Sequence, residues 1–188
     1  MRLFVAIKLP KDECRRIHRA TAGLRDADLP VRWVGPEAYH LTMRFLGEVD
    51  RDAVETVERA VGTAAGMNRP FGARMSGCGA FPTMRNPRVI WLGVEPSPQL
   101  RSLRQDLEWA LSEAGTSRDA RAFHPHMTLG RSSDRAGAGA FRRLGDLSTA
   151  VDYEGEFEVK ALDLMRSQLG PEGSRYSIVS TSTLSAGG

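Results

Sequence analysis

Cysteine is scarce in this chain. Cys14 and Cys78 stand far apart, with neither metal-ligand nor redox spacing, which excludes a disulfide scaffold and a cysteine-rich zinc module. A reducing cytoplasm is the expected setting. Long apolar runs are lacking too. The opening MRLFVAIKLP is apolar but short, and KDECRR follows it at once, so no membrane-spanning helix is expected. A secretory signal would carry its charge first and end in small residues, so this start reads as a strand. Lysine is the third rarity: Lys8, Lys11 and Lys160 are the only three among 26 cationic residues, the rest being arginine. Arginine suits bidentate phosphate contacts, but the bias as a whole reads as that of a GC-rich genome. No GxxxxGK[ST] loop, no GxGxxG after a strand and no HExxH occurs, which leaves nucleotide binding of those types and zinc hydrolysis unsupported.

The 188 residues suffice for one sizeable domain or two small lobes sharing a core. The 41% hydrophobic and 26% charged content is that of an ordinary soluble protein. A net charge of +3 is compatible with an anionic substrate without requiring one.

Residues 2–9 read as a strand ended by Pro10, and 11–24 as a helix with Cys14, Ile17, Thr21 and Leu24 on one face. A short strand at 31–34 precedes Gly35-Pro36, and a strand begins at His40. Asp50 is the expected cap of a helix stopping near Gly66. Strands follow at 71–81 and 88–94, then a helix opened by Ser97-Pro98 and closed near Gly115. The glycine- and alanine-rich stretch 134–141 reads as a flexible loop. Strands at 156–167 and 174–184 end the chain, joined by a turn at 170–173. Strand, helix, strand thus recur twice, which predicts an α+β fold of two similar lobes within a single domain spanning 1–188.

The chemistry is carried by two stretches. HLTMRFLGEV, 40–49, and HMTLGR, 126–131, each place histidine and threonine two residues apart in a strand. Alternate side chains of a strand share a face. His40 and Thr42 therefore point one way, Leu41 and Met43 the other; His126 and Thr128 repeat this against Met127 and Leu129. Imidazole and hydroxyl then stand roughly 7 Å apart at their α-carbons. Facing one cleft, the two pairs suit phosphodiester cleavage without metal. A neutral histidine takes a proton from the attacking oxygen and a protonated one supplies the departing oxygen. With an unperturbed pKa of about 6.5, histidine offers both forms near neutrality. The threonine hydroxyls can bond non-bridging phosphate oxygens, and Arg131, three residues past Thr128, can hold the same oxygens.

One such motif would be unremarkable, because threonine favours strands; two, among only four histidines, point to function. His18, beside the apolar face of the first helix, reads as structural. His124, before Pro125, reads as a loop residue. An H-x-H chelate of His124 and His126 lacks a third ligand, and Ser132 and Ser133 sit in a polar, loop-like setting unsuited to a nucleophile.

These motifs resemble the paired HxTx signatures of the two-histidine phosphoesterases, and of the branch called RNA 2′,3′-cyclic phosphodiesterases, or 2′-5′ RNA ligases, in particular. The likeness extends to RLFVAIKLP, VRWVGPEAYHLT, FPTMRNPRVIWLGV and LMRSQLGPEGSRYSIV, so it covers nearly the whole chain. It implies a bilobal fold with antiparallel sheets lining a V-shaped cleft and helices outside. It also implies hydrolysis of a terminal RNA 2′,3′-cyclic phosphate to a 2′-phosphate. His40 would be the proton donor, His126 the acceptor, and Thr42, Thr128 and Arg131 the phosphate ligands, with no metal or other cofactor. Met43 stands where leucine is commoner and Gly130 where alanine is.

The expected partners are RNA termini or nucleotide 2′,3′-cyclic phosphates, bound by a cytoplasmic monomer with no membrane contact. Arginines at the cleft mouth, Arg44, Arg85 or Arg88, would serve RNA. Rival readings keep the site and change its use: a small cyclic nucleotide as substrate, 2′-5′ ligation, or non-catalytic binding of an RNA end.

Overall fold

The computed structural model describes residues 1–133, 136–137, 139–170 and 173–185. Among the described residues nine strands carry the fold. In chain order they are β1 (Arg2–Lys8), β2 (Val31–Trp33), β3 (His40–Glu48), β4 (Phe71–Pro82), β5 (Pro87–Val94), β6 (His126–Ser132), β7 (Glu154–Val159), β8 (Ala161–Gly170) and β9 (Gly173–Thr183). The helices are α1 (Lys11–Ala20), α2 (Ala22–Arg25), α3 (Val54–Gly66), α4 (Pro98–Glu113) and α5 (Leu144–Thr149). Among the described residues, no helix is long and apolar enough to cross a membrane.

The strands form one antiparallel sheet in the order β7-β4-β5-β6-β3-β1-β8-β9, with β2 beside β6. Outward from the centre, β3, β1, β8 and β9 make one half and β6, β5, β4 and β7 the other. The expected pair of lobes is thus a pair of half-sheets, stitched together where Leu41 of β3 faces Met127 of β6. Leu41 and Met127 are fully buried, in the layer between the sheet and the helices that also holds Ile17, Leu24, Val61, Leu103 and Leu107. Fixing these apolar side chains on one face commits His40, Thr42, His126 and Thr128 to the other.

Local signals account for the helix ends. Ser97 accepts a hydrogen bond from the Leu100 amide at 3.2 Å, with Pro98 in the first turn of α4. Gly115 ends that helix at φ +84°, a conformation costly for any residue with a Cβ. The helix expected over 11–24 breaks at Thr21, whose hydroxyl bonds the Ile17 carbonyl at 2.8 Å and loosens the turn. Asp50 caps nothing with its side chain; a short 3₁₀ turn, Arg51–Ala53, leads into α3. The short α5 carries too little periodicity to be read from sequence.

The strand expected over 156–167 is two strands, β7 and β8, which lie in different halves and part at Lys160. In the main core Phe157 and Val159 stand at odd positions and Leu162 and Leu164 at even ones, while Met165 is buried in a separate cluster with Phe4 and Ala6. That change of parity marks the break, because a continuous strand would keep one parity inward. The stretch 134–141 lies partly outside the described residues, but Phe141 at its end is buried in the core. Pro171 and Glu172 of the expected last turn also lie outside them.

Candidate active site

The Leu41–Met127 pairing sets the register of the two motifs. One residue to either side, His40 falls opposite Thr128 and Thr42 opposite His126. By register each histidine position therefore lies across from the other motif's threonine position, and the two histidines form a diagonal. In an ideal antiparallel pair such a diagonal spans about 7–8 Å between backbones. The flanking strands repeat the placement. Lys8 and Ala6 of β1 stand beside His40 and Thr42, while Gly93 and Trp91 of β5 stand beside His126 and Thr128.

Both imidazoles are held in the same way. His40 Nδ1 lies 2.7 Å from the Ala38 carbonyl oxygen, and His126 Nδ1 lies 2.7 Å from that of His124. A carbonyl can only accept, so each Nδ1 carries the hydrogen and each Nε2 is left with its lone pair for chemistry. In each case the acceptor lies two residues upstream. Aromatic rings fix the remaining freedom. His40 contacts Phe4 and Tyr176, each at 5.1 Å between ring centres, and His126 contacts Phe81 at 5.1 Å and Trp91 at 6.4 Å. Gly79 makes room for Trp91, since a Cβ there would run into the indole ring.

Burial among these rings lowers the pKa of both histidines below the usual 6.5. The backbone hydrogen bonds oppose this, and the positive charge of Arg131 adds to it at both sites. His40 also feels His126 and Lys8, and His126 feels His124. Arg131 is thus near enough to influence both rings, and His126 near enough to influence His40.

Arg131 reaches the open sheet face through a bulge. Strict alternation from His126 would turn residue 131 toward the core. The β5–β6 register instead skips a residue between Ile90 and Trp91, so Leu129 and Gly130 are both buried and Arg131 returns to the open face. The β1–β3 register slips at the matching place, between Val5 and Ala6, which buries Met43 and Arg44 and exposes Phe45. This corrects the reading of Arg44 as a cleft-mouth arginine. It is 7% exposed and its Nε lies 2.7 Å from Glu108 of α4. Arg85 is exposed in the loop between β4 and β5. Arg88 is exposed too, but it alternates with Val89, which pairs with Arg131, and so starts on the opposite sheet face.

Of the other histidines, His124 is exposed near Phe81, at 6.3 Å between ring centres. Among the described residues, no cluster of three histidine, cysteine or acidic side chains forms around it and His126. His18 stays in α1, and its carbonyl accepts a hydrogen bond from Arg25 at 2.5 Å. Sequence reasoning did not single out Lys8, Phe4, Phe81, Trp91 or Tyr176. Lys8 and Trp91 are found only once the strand partners of the motifs are known.

Residues 9–171 match the model of the 2′-5′ RNA ligase superfamily. An RNA 2′,3′-cyclic phosphodiesterase of Methanothermobacter thermautotrophicus is 31% identical over 177 residues, covering 94% of this chain and 95% of that one. Another, from Aeropyrum pernix, is 33% identical over 167 residues, 86% of this chain and 90% of the relative. Among solved structures, a protein of Thermus thermophilus superposes with a TM-score of 0.82 at 27% identity over 99% of both chains. E. coli LigT complexed with 3′-AMP gives 0.74 at 25% identity over 97% of both. The chain belongs to the 2′-5′ RNA ligase superfamily and is an enzyme.

Proposed function

We propose that this enzyme opens 2′,3′-cyclic phosphates at RNA ends by acid–base catalysis between His40 and His126, without a metal. The observation that carries the reading is the matched pair of Nδ1–carbonyl bonds, which leaves two Nε2 atoms available on one face of the sheet. The relatives named RNA 2′,3′-cyclic phosphodiesterase support the substrate class.

In this mechanism His126 Nε2 takes a proton from a water as its oxygen bonds to phosphorus. His40, protonated, gives its Nε2 proton to O3′ as the P–O3′ bond breaks, leaving a 2′-phosphate. Proton count and charge then balance, and the two histidines end in exchanged protonation states. Thr42, Thr128 and Arg131 bind the non-bridging oxygens, where charge gathers in the transition state. The substrate's negative charge offsets Arg131 and restores basicity to the imidazoles.

His40→Ala and His126→Ala should each lower kcat on a 2′,3′-cyclic phosphate by about 10²–10⁴-fold and leave the circular dichroism spectrum unchanged. Activity that survives both changes, or that EDTA abolishes and a divalent ion restores, refutes the mechanism.

A further inference from the structure

The two imidazoles bond to carbonyls in the same way, but those carbonyls are supported differently. Ala38, the acceptor for His40, ends a 3₁₀ turn. Backbone bonds close that turn, from the Ala38 amide to Gly35 at 3.0 Å and from the Tyr39 amide to Pro36 at 3.4 Å. His124, the acceptor for His126, lies in the irregular connection between α4 and β6. Among the described residues, none of 117–124 makes a backbone-to-backbone hydrogen bond. Side chains hold the connection instead. Arg44 donates to the Ser117 carbonyl at 2.5 Å, the Asp119 amide donates to Glu108 at 3.3 Å, and Arg121 grips the Asp119 carboxylate.

Arg104 of α4 touches this connection twice. It is 8% exposed, with one nitrogen on Glu108 and another 3.6 Å from Asp119. Its guanidinium carbon stands over the Phe123 ring, 5.3 Å from the centre, an attraction that strengthens out of water. Phe123 packs against the core and immediately precedes His124. On the other side of His124 the Pro125 carbonyl accepts from the Val94 amide at 3.2 Å. A residue before proline is confined to extended backbone, so fixing Phe123 and Pro125 leaves the His124 carbonyl little freedom to turn. Where that carbonyl points decides which nitrogen of His126 carries the hydrogen.

We infer that Arg104 is a positioning residue for His126: stacked on Phe123, it holds the His124 carbonyl against Nδ1 and so keeps the lone pair on Nε2. The inference rests on the acid–base reading above and adds to it a residue that acts from the covered side of the sheet.

Two mild variants of the full-length enzyme test it. Arg104→Lys keeps a charge beside Glu108 and Asp119 but loses the planar group. Phe123→Leu keeps apolar bulk at a half-buried position and leaves the ion network in place. Nitrogen-15 NMR of the side chains, at about pH 8 where both rings are neutral, reads each tautomer, with His40 as the internal standard. The wild type should carry hydrogen on Nδ1 in both rings. Each variant should show a mixed population at His126 and an unchanged His40, a contrast that a general loss of stability does not produce. On a 2′,3′-cyclic phosphate kcat should fall about tenfold with KM held within about twofold. The double variant should be no slower than the slower single one, because both changes act through one carbonyl. An unchanged His126 in both variants, or a His40 altered as much as His126, overturns the positioning role. A mixed tautomer at His126 with kcat unmoved upholds that role and overturns the acid–base part given to His126.

Discussion

Arg44 of β3 meets Glu108 of α4 with 2.7 Å between Nε and Oε1, and both side chains are largely buried. Its other nitrogens donate to the carbonyls of Phe45 and Ser117, each at 2.5 Å. Arg104, one turn before Glu108, contacts the same carboxylate, and Asp119 lies 3.7 and 3.6 Å from the two guanidiniums. Asp119 is held down at about 2, chiefly by hydrogen bonds from Arg121. The network ties the strand of the first histidine to the connection that delivers the second.

Arg44→Met should therefore lower unfolding stability by roughly 3–5 kcal/mol, because it leaves the buried carboxylates short of one cation. Denaturant titration measures this. A loss below about 1 kcal/mol would mean that the network is spectator to the fold.

Gly130 marks a tightly packed position that a substitution can test. A Cβ there would lie 2.5 Å from Val31 Cγ1 and 2.8 Å from the Trp33 ring, on the strand that pairs with the end of β6. Gly130→Ala should lower the melting temperature, at a cost of about 1–3 kcal/mol for overpacking. Adding Val31→Ala should recover part of the loss. If both variants melt like the wild type, the contact is not tight.

The pH dependence follows from the lowered histidine pKa values. The active form needs one imidazole charged and one neutral, and its population peaks between the two apparent pKa values. Both histidines lie below 6.5 in the free enzyme, so kcat/KM should peak on the acidic side of about 6.5. Stability should behave consistently. Below about 6.5 the unfolded chain takes up protons before the folded one, so acidification through that range destabilises the fold and neutral pH favours it. Replacing both histidines by glutamine should flatten the stability profile between pH 5 and 7. A kcat/KM maximum above 7 in the wild type would contradict the assignment.

Much of this candidate site is legible in the sequence. Alternation alone put His40 with Thr42, and His126 with Thr128, on faces opposite Leu41, Met43, Met127 and Leu129, because the apolar partners could be satisfied only in a core. The same logic reached too far at Arg44. The residue after Met43 should by parity have rejoined the open face, but a bulge buries two successive residues in each motif strand. Such a bulge depends on how neighbouring strands pair, which a single strand's sequence does not specify.

Readable from the chain alone were the two half-motifs, the order of strands and helices apart from α5 and the breaks at Thr21 and Lys160, and the chemistry that paired imidazoles and hydroxyls favour. Tertiary structure alone decided that β3 and β6 become neighbours, in the register that crosses His40 with Thr128 and Thr42 with His126. It also decided that Arg131, Lys8 and Tyr176 join them. Local alternation is a property of the backbone and survives in any context. The meeting of distant strands depends on burial and on hydrogen-bond ladders that exist only once the whole sheet has formed.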